Sequence, residues 1–113
     1  MHELSLSQGM LGLIEDSARR DGFTRVRTVW LQVGRLASVE LESLRFCFDA
    51  VTRGSCAEGA TLEIERTPGR AWCLTCSDSM TIEDTLAGCP RCGGHQLQVT
   101  GGDEMRVKEL EVE

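Results

Sequence analysis

The sequence predicts an α+β protein: two helices on a three-stranded sheet, with an inserted four-cysteine, zinc-ribbon-like module. Three observations carry this. Two stretches with helical periodicity alternate with two stretches of strand-like alternation. A further strand pattern stands apart at the C-terminal end, beyond a polar segment. That segment holds two C-x-x-C pairs and too little apolar surface for a core of its own.

The elements follow in order. From Glu3 to Arg20, Leu6, Met10, Leu13, Ile14 and Ser17 recur at helical spacing, and Asp21-Gly22 supplies a stop. Arg25 to Val33 reads as a strand, with Val29, Leu31 and Val33 on one face and Gly34 at its end. Leu44, Cys47, Phe48 and Val51 place a second helix over Leu41 to Thr52, with Gly54 beyond it. Thr61 to Arg66 is a strand with Leu62 and Ile64 inward. Pro68-Gly69 marks a boundary. Gly101-Gly102 closes the cysteine-rich stretch, and Glu104 to Val112 returns to strand character. Its alternation slips between Val107 and Leu110, where a bulge or strand end is expected. The expected division is therefore a domain of residues 1–69 plus 103–113 and a module of residues 70–102.

Composition narrows the function. The 113 residues carry a net charge of −6, and aromatics make up 4%. Such a chain repels phosphate backbones and offers few stacking platforms, so no nucleic-acid partner is expected. No apolar run approaches the ~20 residues of a membrane span. The N-terminus lacks the pattern of a signal peptide, so a cytoplasmic location is expected.

In a chain without an export signal, six cysteines point to metal before disulfides. Cys73, Cys76, Cys89 and Cys92 form the pattern C-x2-C-x12-C-x2-C. A two-residue spacer lets both thiolates of a pair face one cation, and two such pairs supply the four sulfurs of a tetrahedral zinc site. Gly93 suits the turn in which backbone amides approach sulfur, and Thr81-Ile82-Glu83 offers the arm of a short hairpin. Dithiol redox chemistry is the competing reading, but it expects a pair opening a helix in a βαβ setting. Cys47 reads as a small buried hydrophobe, and Cys56 lies in a loop with its role open. Whether zinc or iron fills the four-cysteine site is also open.

The first residues suggest a second metal site. A bulky His2 disfavours removal of Met1, so the terminal amine, the His2 amide nitrogen and the His2 imidazole can close adjacent chelate rings. Such nitrogen sites suit Ni(II) or Cu(II), and Glu3 adds a carboxylate. A solvated histidine at a frayed end is the plainer reading. His95, after the second cysteine pair, is either a loop residue or a further ligand.

Several segments together resemble one family: Met1-His2-Glu3-Leu4-Ser5, Val29-Trp30-Leu31-Gln32-Val33-Gly34-Arg35-Leu36, Leu44-Arg45-Phe46-Cys47-Phe48, Cys89-Pro90-Arg91-Cys92-Gly93 and Gly101-Gly102-Asp103-Glu104-Met105. Over essentially its whole length the chain is similar to HypA/HybF, the nickel-insertion accessory proteins of NiFe-hydrogenase maturation. The resemblance implies nickel ligation by His2 beside Glu3, and zinc ligation by Cys73, Cys76, Cys89 and Cys92. It further implies His95 as an occasional ligand and Glu40 as an acidic neighbour of the nickel site. It implies a metallochaperone that works with a nickel-handling GTPase and delivers Ni2+ to the hydrogenase large-subunit precursor. Some members serve urease, and a homodimer is allowed for. A zinc-ribbon adaptor without metal cargo is the alternative, and it would not need Met1-His2-Glu3. No nucleophile–base pair or phosphate-binding loop is visible, so the chain is expected not to be an enzyme.

Overall fold

The computed structural model describes residues 2–113. The elements run α1 (Glu3–Asp21), β1 (Val26–Gly34), α2 (Leu41–Thr52), β2 (Thr61–Thr67), β3 (Gly69–Cys73), β4 (Asp78–Ile82), β5 (Leu97–Gly101) and β6 (Met105–Val112). They form two three-stranded sheets, ordered β2-β1-β6 and β4-β3-β5. This is the α+β class that the periodicities predict. Among the described residues no helix is long and apolar enough to cross a membrane.

Two compact units divide the chain. The first comprises Met1–Leu31, Val39–Glu63 and Val107–Glu113; the second comprises Gln32–Ser38 and Ile64–Arg106.

In the first unit, Val29 and Leu31 of β1 have no exposed surface, as their alternation requires. Leu44 and Phe48 of α2 are equally buried, and Met10 and Ile14 of α1 join them. The buried stripe of α1 differs from the expected one. It runs Glu3, Ser7, Met10, Ile14, while Leu13 is 57% exposed and Leu6 and Ser17 are half-buried. The reason is polar. The Ser7 hydroxyl donates to the Leu44 carbonyl at 3.5 Å, and the Glu3 carboxylate accepts from Glu40, the N-cap of α2, so both positions face the neighbouring helix. Gly22 ends α1 in the left-handed conformation, φ 78°, its N–H donating to the Ala18 carbonyl. On α2, Thr52 is buried rather than Val51, its hydroxyl donating to the Phe48 carbonyl at 2.7 Å.

In the second unit the module holds a sheet of its own, where the sequence suggested one hairpin. The β3 strand pairs antiparallel with β4, Ala71 opposite Met80 and Cys73 opposite Asp78. It also pairs antiparallel with β5, Cys73 opposite Leu97, with a register shift between Arg70 and Ala71. Ala71, Cys73, Met80 and Ile82 are buried on one face. Three glycines let backbone segments close on one another here. A Cβ on Gly34 would lie 1.9 Å from the Gly102 carbonyl oxygen, and one on Gly69 2.4 Å from the Ile82 carbonyl oxygen. One on Gly102 would lie 2.4 Å from the Pro68 carbonyl oxygen. Hydrogen bonds from Gly34 N–H to the Glu104 carbonyl (2.8 Å) and from Leu36 N–H to the Gly102 carbonyl (2.7 Å) bind the same segments.

Strand β6 continues through the expected break. Its half-buried residues are Met105, Val107 and Leu110, so the slip in the sequence survives as a change of burial phase within one strand.

Candidate metal centres

The hairpin ends bring the two cysteine pairs together. Cys73 closes β3, and Cys76 follows in the turn to β4. Cys89 and Cys92 lie in the tight turn before β5. The four sulfurs all lie within 4.8 Å of one another. The Cys73–Cys92 and Cys76–Cys89 separations are 3.8 and 3.9 Å. A tetrahedron with metal–sulfur bonds of ~2.3 Å has edges of ~3.8 Å, so these two separations match the edges of a four-thiolate metal site.

Their surroundings suit thiolates. The amide N–H groups of Arg91 and Cys92 donate to the Cys89 sulfur at 3.4 Å, Cys76 N–H to Cys73, and Gly94 N–H to Cys92. Gly93 takes φ 74° to make this turn, and its N–H donates to the Cys89 carbonyl. The Cys92 amide holds the Cys89 thiol down to about 6, with the Arg91 amide adding to the effect against the opposing cost of burial. Burial, with the neighbouring sulfurs adding to it, pushes the Cys76 thiol up to about 12. Of these two, Cys89 is the readier to lose its proton. Beneath them Cys73, Cys89 and Met80 form a buried apolar cluster, with Leu97 and Cys76 at its margin. Met80 was not singled out from the sequence. The signal was there in the spacing of Met80 and Ile82, which alternate along one arm of the hairpin. All four ligands and their amide donors are protein groups facing one point, leaving no position for a substrate if all four bind a cation. The arrangement fits a structural metal.

The second constellation lies in the first unit, where the N-termini of α1 and α2 meet. Met1, and with it the terminal amine, lies outside the described residues. His2 is the N-cap of α1, exposed, with its carbonyl accepting from Leu6 N–H at 2.8 Å. Its Nδ1 is 3.7 Å from Oε2 of Glu3. Glu3 is 4% exposed, and the same Oε2 accepts the Glu40 amide N–H at 3.1 Å. That hydrogen bond lowers the Glu3 carboxyl below its ordinary range, against a smaller opposing effect of burial. Glu40 in turn caps α2, its Oε1 accepting Glu42 N–H at 2.9 Å. The chain therefore brings His2, Glu3 and Glu40 together across 37 residues of sequence. An exposed imidazole sits beside an anchored anion. The His2 N–H precedes the hydrogen-bonded turns of α1, so the helix does not require it.

His95, in the second unit, is exposed, with Nε2 3.2 Å from the Leu86 carbonyl. Cys47 is half-buried rather than fully buried, and Cys56 is half-buried in the loop after α2.

Comparison with known proteins gives a consistent result. A family model described as hydrogenase/urease nickel incorporation, metallochaperone, hypA matches residues 1–112. The hydrogenase maturation factor HypA of Azotobacter vinelandii is 61% identical over 113 residues, covering 100% of both chains. That of Albidiferax ferrireducens is 60% identical with the same coverage. The solution structure of the Ni metallochaperone HypA from Helicobacter pylori superposes with a TM-score of 0.73 at 23% identity, covering 99% of this chain and 97% of that one. At that identity the superposition speaks to the fold alone.

Proposed function

Since this chain belongs to the HypA family of hydrogenase maturation nickel metallochaperones, we propose that it takes up Ni2+ at its N-terminus. On this reading the Met1 amine, the His2 amide nitrogen and the His2 imidazole supply the nitrogen ligands, with Glu3 beside them and Glu40 as neighbour. The family's role is maturation rather than catalysis, and it implies contact with other maturation components. Here those are a nickel-handling GTPase and the hydrogenase large-subunit precursor, met in the cytoplasm. The division of labour follows the proposed domains, residues 1–69 plus 103–113 for cargo and residues 70–102 for Zn2+.

The carrying observation is the exposed His2 imidazole 3.7 Å from a carboxylate anchored to α2. A carrier must release what it binds, and an exposed nitrogen site exchanges ligands more readily than a mostly buried four-thiolate site. The α1 N-terminus would repel a cation, because the first N–H groups of a helix carry partial positive charge. The Glu3 carboxylate in the first turn offsets that charge. The Glu40 amide fixes the carboxylate, so it serves orientation and charge. Zinc, when bound, supplies a crosslink among four thiolates; the chain supplies the amides and the Met80 floor that hold them.

Two variants test the cargo site. His2→Ala should abolish specific nickel uptake while zinc content and circular dichroism stay unchanged. One residue added before Met1 should do the same by moving the free amine away from the imidazole. His95→Ala, measured alongside, decides whether that residue adds to the set. Uptake should weaken as pH falls, because each nitrogen must be free of its ligand-site proton to bind. Wild-type nickel affinity in the extended protein would remove the amine from the ligand set.

A further inference from the structure

Helix α2 turns one apolar side chain fully outward. Phe46 is 75% exposed, although Leu44 and Phe48 on either side of it are buried. At helical spacing Glu42 lies four residues before it and Asp49 three after, so the three share one face. Among the described residues neither Glu42 nor Asp49 has an ion-pair partner. The cation between them in sequence is engaged elsewhere: Arg45 donates to the Leu62 carbonyl. Beside Phe46 the surface sinks into a hollow of about 440 Å3 walled by Glu40, Glu42, Ser43, Phe46 and Cys47.

An isolated exposed aromatic is unremarkable on a protein surface. Here it stands over a hollow with two carboxylates at its rim, and charge complementarity selects the occupant. A long cationic side chain can lay its methylenes against the Phe46 ring and bring its charged head to Glu40 and Glu42. An anionic ligand, such as a phosphate backbone or an acidic membrane surface, would be repelled by the same carboxylates.

We infer that the Phe46 face of α2 is a docking surface for a protein partner presenting an Arg or Lys next to an apolar pocket. Phe46 fills the pocket and the Glu40–Glu42 hollow receives the cation. Aromatic and Arg side chains are the groups that most often anchor such contacts. Glu40 belongs to both this hollow and the His2–Glu3 constellation, so a partner seated here would stand next to the proposed cargo. The inference rests on the carrier reading for its choice of probe, the maturation GTPase.

The test is calorimetric titration of the zinc-loaded full chain with that GTPase. Phe46→Ala and Glu42→Lys should each weaken the complex about tenfold or more, and rising salt should weaken it further. Phe46→Trp should retain binding. Nickel uptake and circular dichroism should stay at wild-type values in all three. Should His2→Ala leave nickel uptake intact while Phe46→Ala still weakens the complex, the carrier reading fails and the docking surface stands. Wild-type affinity in both Phe46→Ala and Glu42→Lys would overturn the inference, as would loss of nickel uptake in step with binding.

Discussion

Gly34→Ala should be among the most damaging single-methyl additions in this protein. Gly34 has no unusual backbone requirement, since it is absent from the residues with positive φ. Its constraint is space. The new Cβ would lie 1.9 Å from the Gly102 carbonyl oxygen, 2.1 Å from its carbon and 2.8 Å from Asp103 N. Ordinary non-bonded contacts begin near ~3.5 Å, so the segments must part by roughly 1.5 Å. Both neighbours are backbone and cannot rotate away. That displacement is enough to break the bonds Gly34 N–H to Glu104 O and Leu36 N–H to Gly102 O. Two lost bonds cost about 2 kcal/mol net, and the distortion of packing adds ~1–3 kcal/mol. The total is ~3–5 kcal/mol, a large part of the ~5–15 kcal/mol that stabilises a typical domain. With a urea m-value of ~2 kcal/mol/M the midpoint should fall by ~2 M. The assay is urea unfolding of zinc-loaded protein under reducing conditions, followed by Trp72 fluorescence in a Trp30→Phe background. Trp72 and Gly34 lie in the same unit. Gly101→Ala, in the same unit, is the control: the nearest atom to its added Cβ is 3.8 Å away, an ordinary contact, so a change of no more than ~0.5 kcal/mol is expected. A shift below ~0.5 M for Gly34→Ala, or one no larger than that for Gly101→Ala, would refute the argument.

Cys73→Ala should abolish stoichiometric zinc and collapse the β4-β3-β5 sheet, while the α1 and α2 signal in circular dichroism largely persists; amide dispersion in NMR reads the difference. Gly9→Ala should stabilise the chain by ~0.5–1 kcal/mol, read as a raised thermal midpoint, because Gly9 is exposed inside α1 with open space around its Cα. The Thr67 hydroxyl and the Gly102 amide hold the Glu104 carboxyl below its ordinary range. Its stabilising contribution is complete above the ordinary carboxylate range and is lost as pH falls through the lowered folded value, so Glu104→Gln should flatten the acid limb of a urea stability profile against pH.

Periodicity found the elements whose burial is apolar and local. Leu44 and Phe48 define α2 by their spacing, and Val29, Leu31 and Val33 define β1, because each buries a simple hydrophobic side. The face of α1 departs from its apolar periodicity because Glu3 and Ser7 are buried for the sake of hydrogen bonds to α2 and its N-cap, 37 residues away. No hydrophobic pattern encodes those. Strand β5 carries little signal in the sequence because Leu97-Gln98-Val99-Thr100-Gly101 buries little, and it owes its existence to pairing with β3. The four sulfurs were legible because the chemistry of the ligand fixes residue type and spacing together. The Gly34–Gly69–Gly102 approach was not: it depends on segments far apart in sequence, and a glycine in a turn looks the same with or without a neighbour at 2 Å.

The four sulfurs do not share one environment. Cys73 and Cys89 are buried, Cys76 is half-buried and Cys92 faces solvent. A mostly buried cage with one corner in water has a defined order of dismantling. A chelator, a thiol or an oxidant reaches Cys92 first, and the sulfurs on the Met80 floor last. The lifetime of the module is then governed by a single corner rather than by the average of four ligands, and by the Gly93-Gly94 turn that holds that corner in place. A proline at Gly94, which removes the amide that donates to the Cys92 sulfur, would alter how fast the metal leaves under challenge before it alters how tightly it is held at rest.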